Sequence, residues 1–303
     1  MMNFNEFECF VKSNIIGALP EDYVNAEVII RKLNKNNETL TSFVVKRPDV
    51  NISPSLYLED FYDTYTSGKD AGAVLSSIAE VIVDHQFDED LDINYYMVWD
   101  NIRDKVVPSL VPIKGNDEYL KDKVYTTFAE DLAVVYKIPL DLNGKGSLTI
   151  TEQTFDRIEG LSDKNVLDQC ARSNILGDSI YCSMFDVLKD SFRDLYGDGF
   201  VFADMVEAMK NNPMSVLSNK DKFFGAAQIL NPEVMKTISD KIGNGFWILP
   251  SSVHEVIILP DNEAFDKDDL TCMIKEVNEN ELLPQDKLSD HPYRYFDGVV
   301  KAA

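Results

Sequence analysis

Ser251, Ser252, His254 and Glu255 crowd one turn between two apolar runs, and these are the residue types of a serine, imidazole and carboxylate relay. Their spacing opposes a relay made by these residues alone. In extended backbone Ser252 and His254 share a face about 7 Å apart, while Glu255 points to the other. The strained G-x-S-x-G elbow of a hydrolase nucleophile is also missing. What remains is a polar turn that hydrogen-bonds its own backbone and holds Ser252, His254 and Glu255 on a rigid support, an arrangement suited to binding.

The second constellation is the stretch 288–296, in which Asp290, His291, Tyr293 and Tyr295 stand close together with Arg294. Aromatic residues and arginine carry much of the energy of protein interfaces. Tyr293 and Tyr295 alternate with Arg294 as in a half-buried edge strand. The three histidines, His85, His254 and His291, show no H-x-x-x-H or H-x-x-E-H spacing, so no metal site is expected. His85 reads as a helix C-terminal residue favoured by the dipole. An enzyme built on this chain would need His254 or His291 to meet a carboxylate across the fold, and a pocket gathering His254, His291 and a carboxylate would support it.

Residues 141–152 overlay the twelve-residue calcium loop, with Asp141, Asn143, Gly146 and Glu152 on positions 1, 3, 6 and 12. Lys145 occupies position 5, a cation aimed at a cation site. The flanks read as strands, so a glycine-rich hairpin turn is the expectation. No Walker A loop and no G-x-G-x-x-G occur, and no cofactor is implied. Cys9, Cys170, Cys182 and Cys272 show no C-x-x-C spacing and read as small buried hydrophobes.

The elements that must position these residues follow from periodicity. Phe4, Phe7, Val11 and Ile15 are spaced for one face of a terminal helix. Residues 27–33 and 40–47 read as a hairpin with a longer polar loop, and 53–68 and 74–82 as amphipathic helices. A third helix is expected over 93–107, and the proline-containing 108–117 is the best linker candidate. Strands are expected over 128–140, 147–150, 214–217 and 224–230. Asn231 as N-cap, Pro232 at the first helical position and Gly243 past the end delimit a helix. Residues 246–249 and 256–259 read as neighbouring central strands, and Asp266 with Asp269 caps a helix carrying Leu270, Met273, Ile274 and Val277. The class is α+β, with an antiparallel or mixed sheet, hairpins and packed amphipathic helices. The expected division is an N-terminal hairpin and helical lobe over 1–110 and a C-terminal α+β lobe over 118–303, with a single domain as the alternative.

Subtracting 52 acidic from 29 basic side chains leaves a net charge of -23, which opposes direct binding to nucleic acid or anionic lipid. No apolar stretch approaches the roughly 18 residues needed to cross a bilayer, and the first residues carry Glu6 and Glu8 where a signal peptide carries cations. A soluble, cytoplasmic protein is expected.

Several segments in order carry a resemblance. They are 51–62 (NISPSLYLEDFY), 128–136 (FAEDLAVVY), Leu217-Ser218-Asn219 with Gly225-Ala226-Ala227, 249–256 (LPSSVHEV), Glu276-Val277-Asn278, Leu288-Ser289-Asp290 and Tyr293-Arg294-Tyr295. Together they resemble domain-of-unknown-function family 5688 over about residues 20–297. The resemblance implies an uncharacterised bacterial protein of the kind common in gut anaerobes, and implies no activity. Members resemble this chain around Gly144-Lys145-Gly146-Ser147 without calcium-ligand types, which further weakens a calcium loop.

The reading is therefore a non-catalytic binding or interaction module, taking an unknown protein or small ligand, with its surface at Ser252, His254, Glu255, Asp290, His291, Tyr293 and Tyr295. Alternatives are an enzyme using His254 or His291 with a carboxylate, and an acidic nucleic-acid mimic that occupies a cationic protein.

Overall fold

The computed structural model describes residues 1–140, 146–189, 213–243, 245–262 and 265–303. Asp141 and Asn143 of the calcium-loop comparison lie outside the described residues. The chain forms two compact units, Met1–Ile93 and Asn94–Ala303. Every strand ladder among the described residues is antiparallel, and helices are interspersed, so the fold is α+β. No helix among them is long and apolar enough to cross a membrane.

In the first unit α1 (Phe4–Ala18) opens on a capping box: the Asn3 side chain accepts from Glu6 N, and the Glu6 side chain accepts from Asn3 N. Strands β1 (Glu27–Lys35) and β2 (Glu38–Lys46) pair in register from Glu27 with Lys46 to Lys35 with Glu38. The expected longer loop is thus a two-residue turn at Asn36 and Asn37, because Asn37 tolerates φ 61° and closes the hairpin. After the short β3 (Leu56–Tyr57), helices α2 (Leu58–Thr66) and α3 (Ala71–Asp84) follow. Phe7, Val11 and Ile15 of α1 pack with Phe43, Leu58, Val74, Ile78 and Ile82, which is the stripe their spacing marked.

Among the described residues the second unit holds two sheets. The expected helix over 93–107 reduces to a 3-10 turn and the one-turn α4 (Trp99–Ile102). The linker candidate is strand β4 (Val107–Pro112), with Ser109, Leu110 and Val111 buried, followed by the one-turn α5 (Asp117–Leu120). Pro108 and Pro112 fit there because β4 is an edge strand of the order β4-β6-β5, where a missing N–H on the open side costs nothing. The expected strand over 128–140 is two strands, β5 (Tyr125–Phe128) and β6 (Leu132–Leu140), joined by a turn with Ala129 at φ 48° and Glu130 at φ 75°. Neither residue type marks such a turn, so periodicity ran through it. Strand β7 (Gly146–Thr149) pairs with the end of β6.

Helices α6 (Glu152–Arg157) and α7 (Lys164–Asn174) lead to the second sheet. Its order is β13-β12-β10-β11-β9-β8, built from β8 (Ser179–Ser183), β9 (Ser215–Asn219), β10 (Phe246–Pro250), β11 (Val256–Pro260), β12 (Tyr293–Phe296) and β13 (Val299–Ala302). The two continuous apolar runs are the central β10 and β11, with Phe246, Ile248, Val256 and Ile258 fully buried. The tail strand β12 is not an edge: it lies between β10 and β13, and only its alternation of buried Tyr293 and Tyr295 with exposed Arg294 and Phe296 matches the sequence reading. Helix α8 (Pro232–Ile242) begins as its residues dictate, with the Asn231 side chain accepting from Glu233 N and Val234 N and Gly243 following at φ 107°. Helix α9 (Lys267–Asn280) starts with Asp266 accepting from Asp269 N. The cysteines are not buried: Cys9 and Cys272 are exposed, and Cys170 and Cys182 half-buried.

Candidate functional site

Strand β9 ends at Asn219, and the chain then turns through two left-handed residues, Lys222 (φ 52°) and Phe224 (φ 55°). Non-glycine residues in this conformation cost on the order of 1 kcal/mol each and persist only where neighbours hold them. Here three groups do so. The Asn219 side chain donates from Nδ2 to Phe223 O (2.8 Å) and accepts at Oδ1 from Phe223 N (3.0 Å). His254 Nδ1 accepts from Phe224 N (3.1 Å). Gly225 then lies so close to the neighbouring turn that a Cβ would come within 2.5 Å of His254 O and 2.7 Å of Asn219 N. The expected strand over 224–230 is therefore a buried 3-10 helix, Gly225–Leu230, because the left-handed Phe224 redirects the chain and Gly225 admits the close approach.

The turn 251–255 is fastened from all sides. Ser218 Oγ donates to His254 O (2.8 Å), Ser252 Oγ accepts from His254 N (3.0 Å), and Ser252 N donates to Glu255 O (3.1 Å). Val253 N donates to Asp286 O (2.8 Å), which brings a proline turn, Pro284–Asp286, against it. Since His254 Nδ1 accepts a hydrogen bond, the ring proton sits on Nε2, which faces Asp286 Oδ1 at 3.4 Å. The acid that meets His254 is Asp286, not Glu255. The imidazole also stacks near the rings of Phe223 (5.6 Å) and Phe224 (5.7 Å).

These rings form one wall of a cleft of about 630 Å³ between the two sheets of the second unit. The opposite wall comes from Val107 and Pro108 of β4 and from Lys137, Pro139, Leu140 and Ser147 of the β6-β7 ladder. Asn174 and Gln228 add amide groups, and Asp178, Asp221 and Lys222 stand among the lining charges. Phe223 is 42% exposed, a large aromatic face open to whatever enters. Lys137 Nζ lies 4.4 Å from the Phe224 ring centroid, a cation over a π face. Asp178 is paired with Lys220 at 3.8 Å.

A second cluster forms elsewhere in the same unit. Asp131, in the turn between β5 and β6, accepts from His291 Nε2 (2.8 Å) and from the Tyr293 hydroxyl (3.0 and 3.1 Å to its two oxygens). The Asp131 hydrogen bond is the main reason that the His291 pKa is raised, with burial opposing it. Burial pushes the Tyr293 phenol well above its ordinary value.

Of the residues singled out in sequence, Ser252 is buried and His254 lines the cleft, while Glu255 contributes a backbone carbonyl to the turn. Asp290 accepts from Asn278 Nδ2 (2.8 Å), His291 and Tyr293 meet at Asp131, and Tyr295 stacks on Phe246 at 4.9 Å. The cleft takes His254, and His291 is not among its lining residues. Sequence reasoning missed Phe223, Phe224, Asn219, Asp286 and Asp131. The run Lys222-Phe223-Phe224-Gly225 held a signal, two aromatics before a glycine, that a strand reading absorbed.

The model of a family of unknown function, DUF5688, matches residues 4–297. None of the curated proteins and no solved structure matches the chain.

Proposed function

The chain belongs to the DUF5688 family, and we propose that it is a non-catalytic binding module whose ligand enters the cleft beside Phe223 and Phe224. The observation that carries this reading is that both ring nitrogens of His254 face groups of the protein itself, Nδ1 as an acceptor and Nε2 near a carboxylate. Nδ1 takes the Phe224 amide and Nε2 faces Asp286, so the imidazole has no lone pair turned toward the cleft with which to take a proton from a ligand. His254 acts instead as a positioning residue that holds an aromatic wall. A cavity of this size, mostly apolar with a few amides and charges, suits a small molecule with a flat apolar face. The net charge of -23 keeps nucleic acid away from direct contact. Four cysteines held as thiols fit a reducing, cytoplasmic setting.

The reading is tested with the neutral aromatic fluorophore N-phenyl-1-naphthylamine. Enhanced, blue-shifted emission is expected with the wild type. Phe223→Ala should weaken the affinity about tenfold, near 1.4 kcal/mol, while the melting temperature stays within a few degrees. No enhancement, or equal affinity in the variant, would remove the cleft from the proposal. Hydrolysis of p-nitrophenyl acetate that disappears in a folded His254→Gln variant would put an enzyme in its place.

A further inference from the structure

His291 stands apart from the cleft, in the segment that enters β12. Its Nε2 lies 2.8 Å from Asp131 Oδ2 and its Nδ1 lies 3.1 Å from Pro292 O. Both neighbours are acceptors. A neutral imidazole owns one N–H and can serve only one of them, whereas an imidazolium serves both. We propose that His291, Asp131 and Tyr293 form a protonation-dependent latch that fastens the start of β12 to the turn between β5 and β6.

The surroundings fit a latch between the two sheets of the second unit. Asp131 is itself tied to the first sheet through Ile113 N, which donates to its carbonyl (2.8 Å). Tyr293 is buried on β12 and gives its hydroxyl to the same carboxylate. Ser289 holds the local backbone, its hydroxyl accepting from His291 N at 3.2 Å. Among the described residues the charged and titratable groups around the imidazole are Asp131 from the turn, Tyr293 from β12 and Lys267 from the first turn of α9; the neighbouring Asp290 is engaged by Asn278. Asp131 favours the imidazolium and Lys267 opposes it. His291 and Asp131 keep about a third of their side-chain surface exposed, so protons reach them without unfolding.

A histidine whose pKa is raised in the folded state adds stability that is fully present below the unfolded value, and this stability is lost as pH rises through the folded value. The latch is therefore closed in acid and loosened above neutrality, when only one of the two acceptors can keep its hydrogen bond.

Two measurements test it. In an NMR titration of the wild type, the His291 ring should titrate above the ordinary 6.5 and move down in Asp131→Asn. In thermal melts, the wild type should exceed His291→Gln at about pH 5.5, and the difference should shrink as the pH rises to about 8.5. A His291 that titrates at or below 6.5, or a melting-temperature difference that stays constant across the range, would overturn the latch. The wild-type titration decides the matter even if His291→Gln does not fold.

Discussion

His254 Nδ1 accepts the backbone N–H of Phe224 at 3.1 Å, so a side chain from the β10-β11 turn holds a left-handed residue of the β9 loop in place. Removing it leaves a half-buried amide without its partner and a strained residue without support. His254→Ala is expected to cost about 1–3 kcal/mol in urea unfolding. It should also weaken fluorophore binding, because the Phe223 and Phe224 wall loses its anchor. Unchanged stability together with unchanged binding would mean that the hydrogen bond positions nothing.

Gly225 offers a sharper probe of the same wall. An added Cβ meets the backbone of both Asn219 and His254, atoms that cannot swing aside as a side-chain tip would. Gly225→Ala is expected to destabilise the protein by about 1–3 kcal/mol, as overpacking does. Equal denaturant midpoints for variant and wild type would show that the loop and the turn are not closely packed.

The central sheet supports both. Ile258 is fully buried on β11, opposite Ile248 on one side and Ser215 on the other. Ile258→Ala should cost about 2–5 kcal/mol, the range of a large-to-small change in a core. A loss below about 1 kcal/mol would mean that the strand is not central.

Much of this scaffold was legible in sequence, because local chemistry and tertiary structure agree there. Asn231, Pro232 and Gly243 bound a helix as their backbone preferences require, and the apolar runs of β10 and β11 became neighbouring core strands. The turn around His254 was also found, as a polar interruption between those runs. Its partners were not. Asp286 reaches His254 across 32 positions, and Asp131 reaches His291 across 160, so no local spacing could join them. The turns at Ala129, Glu130, Lys222 and Phe224 use left-handed residues that are neither glycine nor asparagine, and these hid the break between β5 and β6 and the loop before Gly225. Pro108 and Pro112 read as a linker because periodicity cannot tell an edge strand from an extended connection.

The cleft as a binding site is tested most directly by mapping amide chemical shifts of labelled protein during titration with N-phenyl-1-naphthylamine. Saturable shifts should concentrate on Phe223, Phe224, Ala227 and Gln228, with Val107 across the cleft, and leave Ile258 and the strand β12 unmoved. Shifts confined to other surfaces, or none at ligand saturation, would contradict the assignment of this cleft as the site.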